Sequence, residues 1–143
     1  MQQWDENSDK VNRIRRDVEK AKALVKMVAL REQRLKHMSL PIFSTLLVED
    51  YYEIIKELIT GIMSVDGWKT VSHELLIGYL AEFYRDFNQA EISLMDQLRV
   101  IRNGIAYRGV MINPEYIERN RENILSIIEK LKQVLQNKLN SGK

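Results

Sequence analysis

The chain contains no cysteine. That excludes disulfides, thiolate metal sites and a cysteine nucleophile, and it fits a reducing compartment. Only two histidines occur, His37 and His73. They lie far apart in sequence, whereas a metal site needs about three or four converging ligands, so no metal and no cofactor is expected. No apolar run approaches the roughly 20 residues that span a membrane. The leading residues Met1 to Asn7 have neither the basic start nor the apolar stretch of a signal peptide. There is no glycine-rich phosphate loop of Walker form and no dinucleotide fingerprint. Neither charge dominates: 22 lysines and arginines face 20 acidic residues, so bulk charge does not argue for nucleic acid and any basic surface must be local. These absences together describe a cytoplasmic protein with no membrane partner.

Proline is nearly absent too, with two residues, and six glycines in 143 positions leave long stretches free for helices. Hydrophobic residues make up 45% of the chain, enough for one domain with one core over residues 1–143. The ordered core is expected over about residues 8–139, with short frayed ends that include Ser141-Gly142-Lys143. Val11, Ile14, Val18, Ala21, Val25, Val28 and Leu35 recur near the helical period, which predicts a first helix from about Ser8 to His37. Pro41 suits the first turn of a second helix, which carries Phe43, Leu46, Leu47, Tyr51, Ile54, Ile55, Leu58 and Ile62 and ends at Asp66-Gly67. Thr70 or Ser72 caps a third helix that runs to about Asn88. A fourth spans Gln89 to Tyr107, with Leu94, Leu98, Ile101 and Ile105 as its buried stripe and Gly109 as its stop. Asn113-Pro114-Glu115 is a strong start for the last helix, which carries Ile117, Ile124, Leu125, Ile128, Leu131, Leu135 and Leu139. No alternating segment predicts a strand. The fold class is all-α, an antiparallel up-and-down bundle of four to five helices.

The fourth helix ends in Arg99-Val100-Ile101-Arg102-Asn103-Gly104-Ile105-Ala106-Tyr107-Arg108-Gly109. At about 100° per residue, Arg99, Arg102, Asn103 and Tyr107 fall on an arc separate from the apolar stripe. A guanidinium forks onto phosphate oxygens, an amide orients them, and a phenol donates a hydrogen bond. With Arg108 these residues are the candidate ligand-binding group. The other reading is an arginine-rich helix end favoured simply by the dipole. Gly104, inside the helix, implies close approach of another helix, a second subunit or a ligand. Tyr51 reads as core, and Tyr52 is either core or a base-stacking surface. Arg13, Arg15 and Arg16 are followed by Asp17 and Glu19 and read as a solvated face. His73 reads as a surface or capping-region histidine and His37 as structural.

Arg102-Asn103-Gly104-Ile105-Ala106-Tyr107 resembles the signature of HEPN domains (higher eukaryotes and prokaryotes nucleotide-binding). That signature is an arginine, often followed by asparagine, and then a histidine after a short stretch near the end of a late helix. Arg102 and Asn103 match, and Tyr107 stands at the histidine position. Val48 to Thr60, Asp66-Gly67-Trp68-Lys69-Thr70 and Ser72-His73-Glu74 extend the resemblance to small prokaryotic HEPN proteins over about residues 8 to 135. The resemblance implies a helical homodimer with two motif copies facing each other across an interfacial cleft. It implies RNA or nucleotide as ligand, a small nucleotidyltransferase antitoxin as partner in a toxin–antitoxin pair, and metal-independent endoribonuclease activity with Arg102 and Tyr107 as catalytic residues, or with a recruited His73 in the place of Tyr107. Tyrosine, with an ordinary pKa of about 10, is a poor base at neutral pH, so a binding cleft with degenerate nuclease activity is the expected function. A pure interaction module partnering the nucleotidyltransferase is the alternative.

Overall fold

The computed structural model describes residues 1–141. The elements run β1 (Val11–Arg13), α1 (Val18–Leu35), α2 (Ser44–Asp66), β2 (Trp68–Thr70), α3 (His73–Phe83), α4 (Gln89–Arg108) and α5 (Pro114–Ser141). The expected all-α bundle is present. α2 is its central post, packed by α1, α3, α4 and α5. It is apolar nearly all round, as a helix buried on every side must be: Val48, Tyr51, Tyr52, Ile55, Leu58, Ile59 and Ile62 are all buried. Both tyrosines are therefore core. Ile124, Ile127, Ile128, Leu131 and Leu135 of α5 complete the core, whereas Leu125 points outward.

The first helix is shorter than its apolar spacing predicts. Asp17 caps it, its carboxylate accepting from the Lys20 amide at 2.9 Å. The residues ahead of that cap serve the end of α2, whose last carbonyls have no partner inside the helix. The Ile14 amide donates to Gly67 O and the Asp17 amide to Ser64 O, both at 2.9 Å, while Arg16 Nε donates to Val65 O at 2.8 Å. Val11–Arg13 pairs antiparallel with Trp68–Thr70, Val11 opposite Thr70. This two-stranded ribbon is a correction to the strand-free expectation. Three residues with one buried side chain, Val11, carry no alternation for a sequence to display.

Other boundaries moved for local reasons. Pro41 precedes α2 instead of opening it, because the Phe43 amide closes a separate turn onto Ser39 O before the helix begins at Ser44. α3 stops at Phe83, since Asn88 is already the N-cap of α4: its side chain accepts from the Glu91 amide while Glu91 accepts from the Asn88 amide. Gly67 ends α2 with φ 91°, a conformation that strains other residues. Ser72 caps α3, Asn113 accepts from the Glu115 amide at α5, and Gly109 ends α4. Ser141 belongs to α5 rather than to a frayed tail, and 142–143 lie outside the described residues.

Two polar clusters tie the helices together. The Tyr79 and Tyr84 hydroxyls both donate to Asp66 Oδ2, the latter at 2.6 Å, and Lys138 Nζ meets Asp66 Oδ1 at 2.5 Å. Burial and the neighbouring carboxylate push both phenols above their ordinary range. On the opposite side of α2, Arg31 forks onto Glu57 at 2.8 and 3.3 Å, and Arg34 forks onto Asp50. The segment before β1 folds over α3. Trp4 packs edge-on against Trp68 and Tyr79, with ring centroids 5.4 and 4.9 Å away. Gly78 admits this segment: a Cβ there would stand 2.7 Å from the Gln2 carbonyl oxygen.

Candidate functional site

α4 lies across α2 and α3, and this turns its buried face away from the expected stripe. Ile92, Met95 and Leu98 are its deepest apolar residues, while Leu94, Ile101 and Ile105 are only half-buried. The rotation carries the arginines inward. The Arg99 and Arg102 side chains keep only 13% and 20% of their exposure, so they are not ordinary solvated decoration of a helix end.

Arg99, Asn103 and Tyr107 follow one another at intervals of one turn and share a face of α4. They form one side of a shallow, open cleft of about 280 Å³, whose other side is Val71, Ser72, His73 and Glu74 at the β2–α3 junction. The Ser72 cap turns the chain there and sets His73 at the first position of α3. Arg99 Nε meets Asp96 Oδ1 at 2.9 Å, and its Nη1 stands 3.9 Å from Glu74 Oε1. Glu74 in turn accepts from the Gln2 amide at 3.1 Å. Tyr107 stands on the rim, 77% exposed.

Two members of the expected binding group lie elsewhere. Arg102 turns behind the cleft wall toward α2, where its Nη2 stands 3.2 Å from Glu53 Oε1. Arg108 is exposed and folds back along its own helix: its Nη2 lies 3.1 Å from the position of a Cβ on Gly104, with Val110 beside it. The close approach that Gly104 signals is therefore made by Arg108 and Val110 of the same chain. The Arg13-Arg15-Arg16 cluster disperses, Arg13 lying 4.5 Å over the Trp68 ring and Arg16 holding Val65 O. His37 is exposed at the end of α1.

His73 is the residue that sequence reasoning undervalued. Its ring lies 5.8 Å from that of buried Tyr52. Burial, reinforced by the positive charges of Lys56, Arg102 and Arg99 and opposed by Glu53, holds its pKa below the ordinary 6.5. The imidazole is thus neutral at neutral pH, with a lone pair free to take a proton. A depressed folded-state pKa means that the unfolded chain binds this proton more tightly. Stability is then complete above the ordinary value of 6.5 and is lost as the pH falls through it toward the folded-state value. His73→Gln is expected to flatten that stretch of the stability–pH curve, checked by urea midpoints at about pH 7.5 and about pH 5. Parallel curves for the two proteins would remove the perturbation.

Among the described residues no group of three or more histidine and acidic side chains could hold a metal ion. Among the same residues no helix is long and apolar enough to cross a membrane. Comparison of the chain with family models, curated proteins and solved structures gives no match.

Proposed function

We propose that the cleft between α4 and the start of α3 binds the phosphates of RNA or of a nucleotide, in a HEPN-like helical protein that works as a homodimer. The observation that carries this reading is the convergence of Arg99, Asn103, Tyr107 and His73 on one concavity. Arg99 supplies an always-ionised guanidinium, steadied at Nε by Asp96 and able to turn from Glu74 to a phosphate, Asn103 an amide, and Tyr107 a phenol with an apolar face on which a base can stack. Val100 and Met111, exposed near Tyr107 along the chain, are apolar side chains that a second copy would cover. A fluorescein-labelled single-stranded RNA titrated at rising salt tests the reading. Arg99→Ala is expected to weaken binding about tenfold and to flatten the dependence of log affinity on log salt by about 0.7 for each phosphate no longer neutralised. Equal affinity and slope in the variant would exclude the cleft as the binding site.

The neutral imidazole favours a second reading, metal-independent cleavage of RNA, with His73 in the place assigned to Tyr107 by the resemblance. His73 would take the proton of a 2′-hydroxyl, the freed oxygen would attack phosphorus, and the 5′ oxygen would leave with a proton from solvent. Arg99 would steady the charge on the phosphorus centre. Under this reading RNA incubated with EDTA is cut by the wild type and left whole by His73→Gln. No cleavage by the wild type between about pH 6 and about pH 9 excludes this second reading. A docking role beside a nucleotidyltransferase remains the alternative proposal, and co-purification of that enzyme is its sign.

A further inference from the structure

Residues 1–4 lie over α3 as a strap with two attachments. At one, the Gln2 amide donates to Glu74 Oε2 at 3.1 Å, an exposed bond. At the other, the Trp4 ring packs edge-on against Trp68, Tyr79 and Phe83, with centroids 5.4, 4.9 and 6.2 Å away. The strap therefore hangs mainly on one indole. That attachment is imperfect, because the Trp4 indole N–H is buried and meets no acceptor among the described residues. An unanswered buried donor is costly, and water would satisfy it once the ring lifted out.

The strap has a hinge of its own. Residues 5–10 are fixed at their far end, where Lys10 O accepts from Thr70 Oγ1 at 2.7 Å. The turn between is closed by local bonds: the Asn7 amide to Asp5 Oδ1, the Ser8 amide to Asp5 O and the Lys10 amide to Ser8 Oγ. Residues 1–4 can thus lift while β1 keeps its pairing with β2. Gly78 is the seat of the strap. A Cβ there would stand 2.7 Å from the Gln2 carbonyl oxygen and 3.2 Å from the Trp4 amide nitrogen. Both are backbone atoms, which no rotamer change can move aside.

Glu74 faces two donors. Its Oε2 takes the Gln2 amide, while its Oε1 stands 3.9 Å from Arg99 Nη1, beyond hydrogen-bond reach. Arg99 is held at Nε by Asp96 and keeps 13% of its exposure, whereas Glu74 keeps 41%. The carboxylate is the partner with room to move. Without the Gln2 amide, its nearest strong donor is the guanidinium, and a charge-assisted pair would form.

We propose that the strap is a regulatory latch on the cleft. Closed, the Gln2 amide holds Glu74 off Arg99 and leaves the guanidinium to an incoming ligand. Open, Glu74 closes on Arg99 and shuts the cleft to anions. The effect on ligand rests on the reading of the cleft as a phosphate site, whereas the movement of Glu74 does not.

Gly78→Ala is the variant that opens the latch, since alanine suits the interior of α3 but not the seated strap. Nuclear magnetic resonance on Gly78→Ala is expected to show the Trp4 indole N–H moved to the position of a solvated indole. The Arg99 guanidinium signals are expected to move with it, and to stay in place when Gly78→Ala is made in a Glu74→Gln background. Labelled single-stranded RNA is expected to bind Gly78→Ala about threefold more weakly than the wild type. Glu74→Gln is expected to gain about threefold more affinity in the Gly78→Ala background than alone. An unmoved Trp4 signal, unmoved Arg99 signals beside a moved Trp4, or equal gains from Glu74→Gln in both backgrounds overturns the latch. If wild-type binding still depends on Arg99 in that case, the cleft survives without it. If the wild type binds no RNA, the phosphate reading fails, and the Arg99 signals alone decide whether Glu74 moves. Should Gly78→Ala fail to fold, Trp4→Ala opens the strap instead, and the Arg99 signals and the RNA titration are read on it.

Discussion

Asp66→Ala is expected to lower the unfolding free energy by about 3–4 kcal/mol and the melting temperature by roughly 10 °C. One carboxylate at the end of α2 answers a hydroxyl from α3, a second from the residue that ends α3, and an ammonium from α5. Alanine leaves all three without their acceptor. Tyr79 is buried, so its hydroxyl has no ready access to water, and each unsatisfied buried group costs about 1–3 kcal/mol. Lys138 loses less, because an ammonium on a long stem can reach solvent. Tyr84→Phe is the control: it removes one donor while Asp66 keeps two partners, and it costs about 1 kcal/mol. Calorimetry on the two variants checks the pair. A loss near 1 kcal/mol for Asp66→Ala would mean that the hydroxyls find other acceptors.

Arg31→Met carries a comparable expected loss, about 3–4 kcal/mol, because it leaves an acid buried against α1 without its cation. Glu57 has 11% of its side-chain exposure and takes both of its bonds from Arg31. The favourable contact with Glu57 also raises the Arg31 guanidinium above its ordinary pKa against the cost of burial. Most of the loss is the penalty of the stranded carboxylate rather than the worth of the bridge itself. Adding Glu57→Met should therefore restore most of the stability, since a well-packed apolar pair often matches a buried ion pair. Urea melts of the two single variants and the double variant close the cycle. A double variant no more stable than Arg31→Met would place the cost in poorer packing.

The helices were legible because their signals are local. Asn88 with Glu91, Asn113 with Pro114, and Gly109 each act within a turn of the boundary they set. The apolar spacing overruns the start of α1 because Val11 and Ile14 share the phase of Val18 and Ala21 by coincidence. What ended it was the need of α2's last carbonyls for donors, a demand from residues about 50 positions away that no periodicity records. The motif at the end of α4 was legible as a group of donors, but its division was not. Whether Arg102 faces the cleft or α2 depends on the roll of α4 about its axis, which packing on α2 and α3 decides. From sequence His73 reads as a surface or capping histidine for the same reason. Its cap, Ser72, was visible in the sequence, but its neighbours Lys56, Arg99 and Arg102 arrive from two other helices.

The shelf that carries His73 begins where the pairing of Val11 with Thr70 stops. Gln2 grips Glu74 through its amide, and its carbonyl rests in the hollow left by Gly78. The first dozen residues thus brace the shelf that carries His73 like a splint. Removal of residues up to Arg13 would therefore release Glu74 at the start of α3 and uncover Trp68 and Tyr79 together.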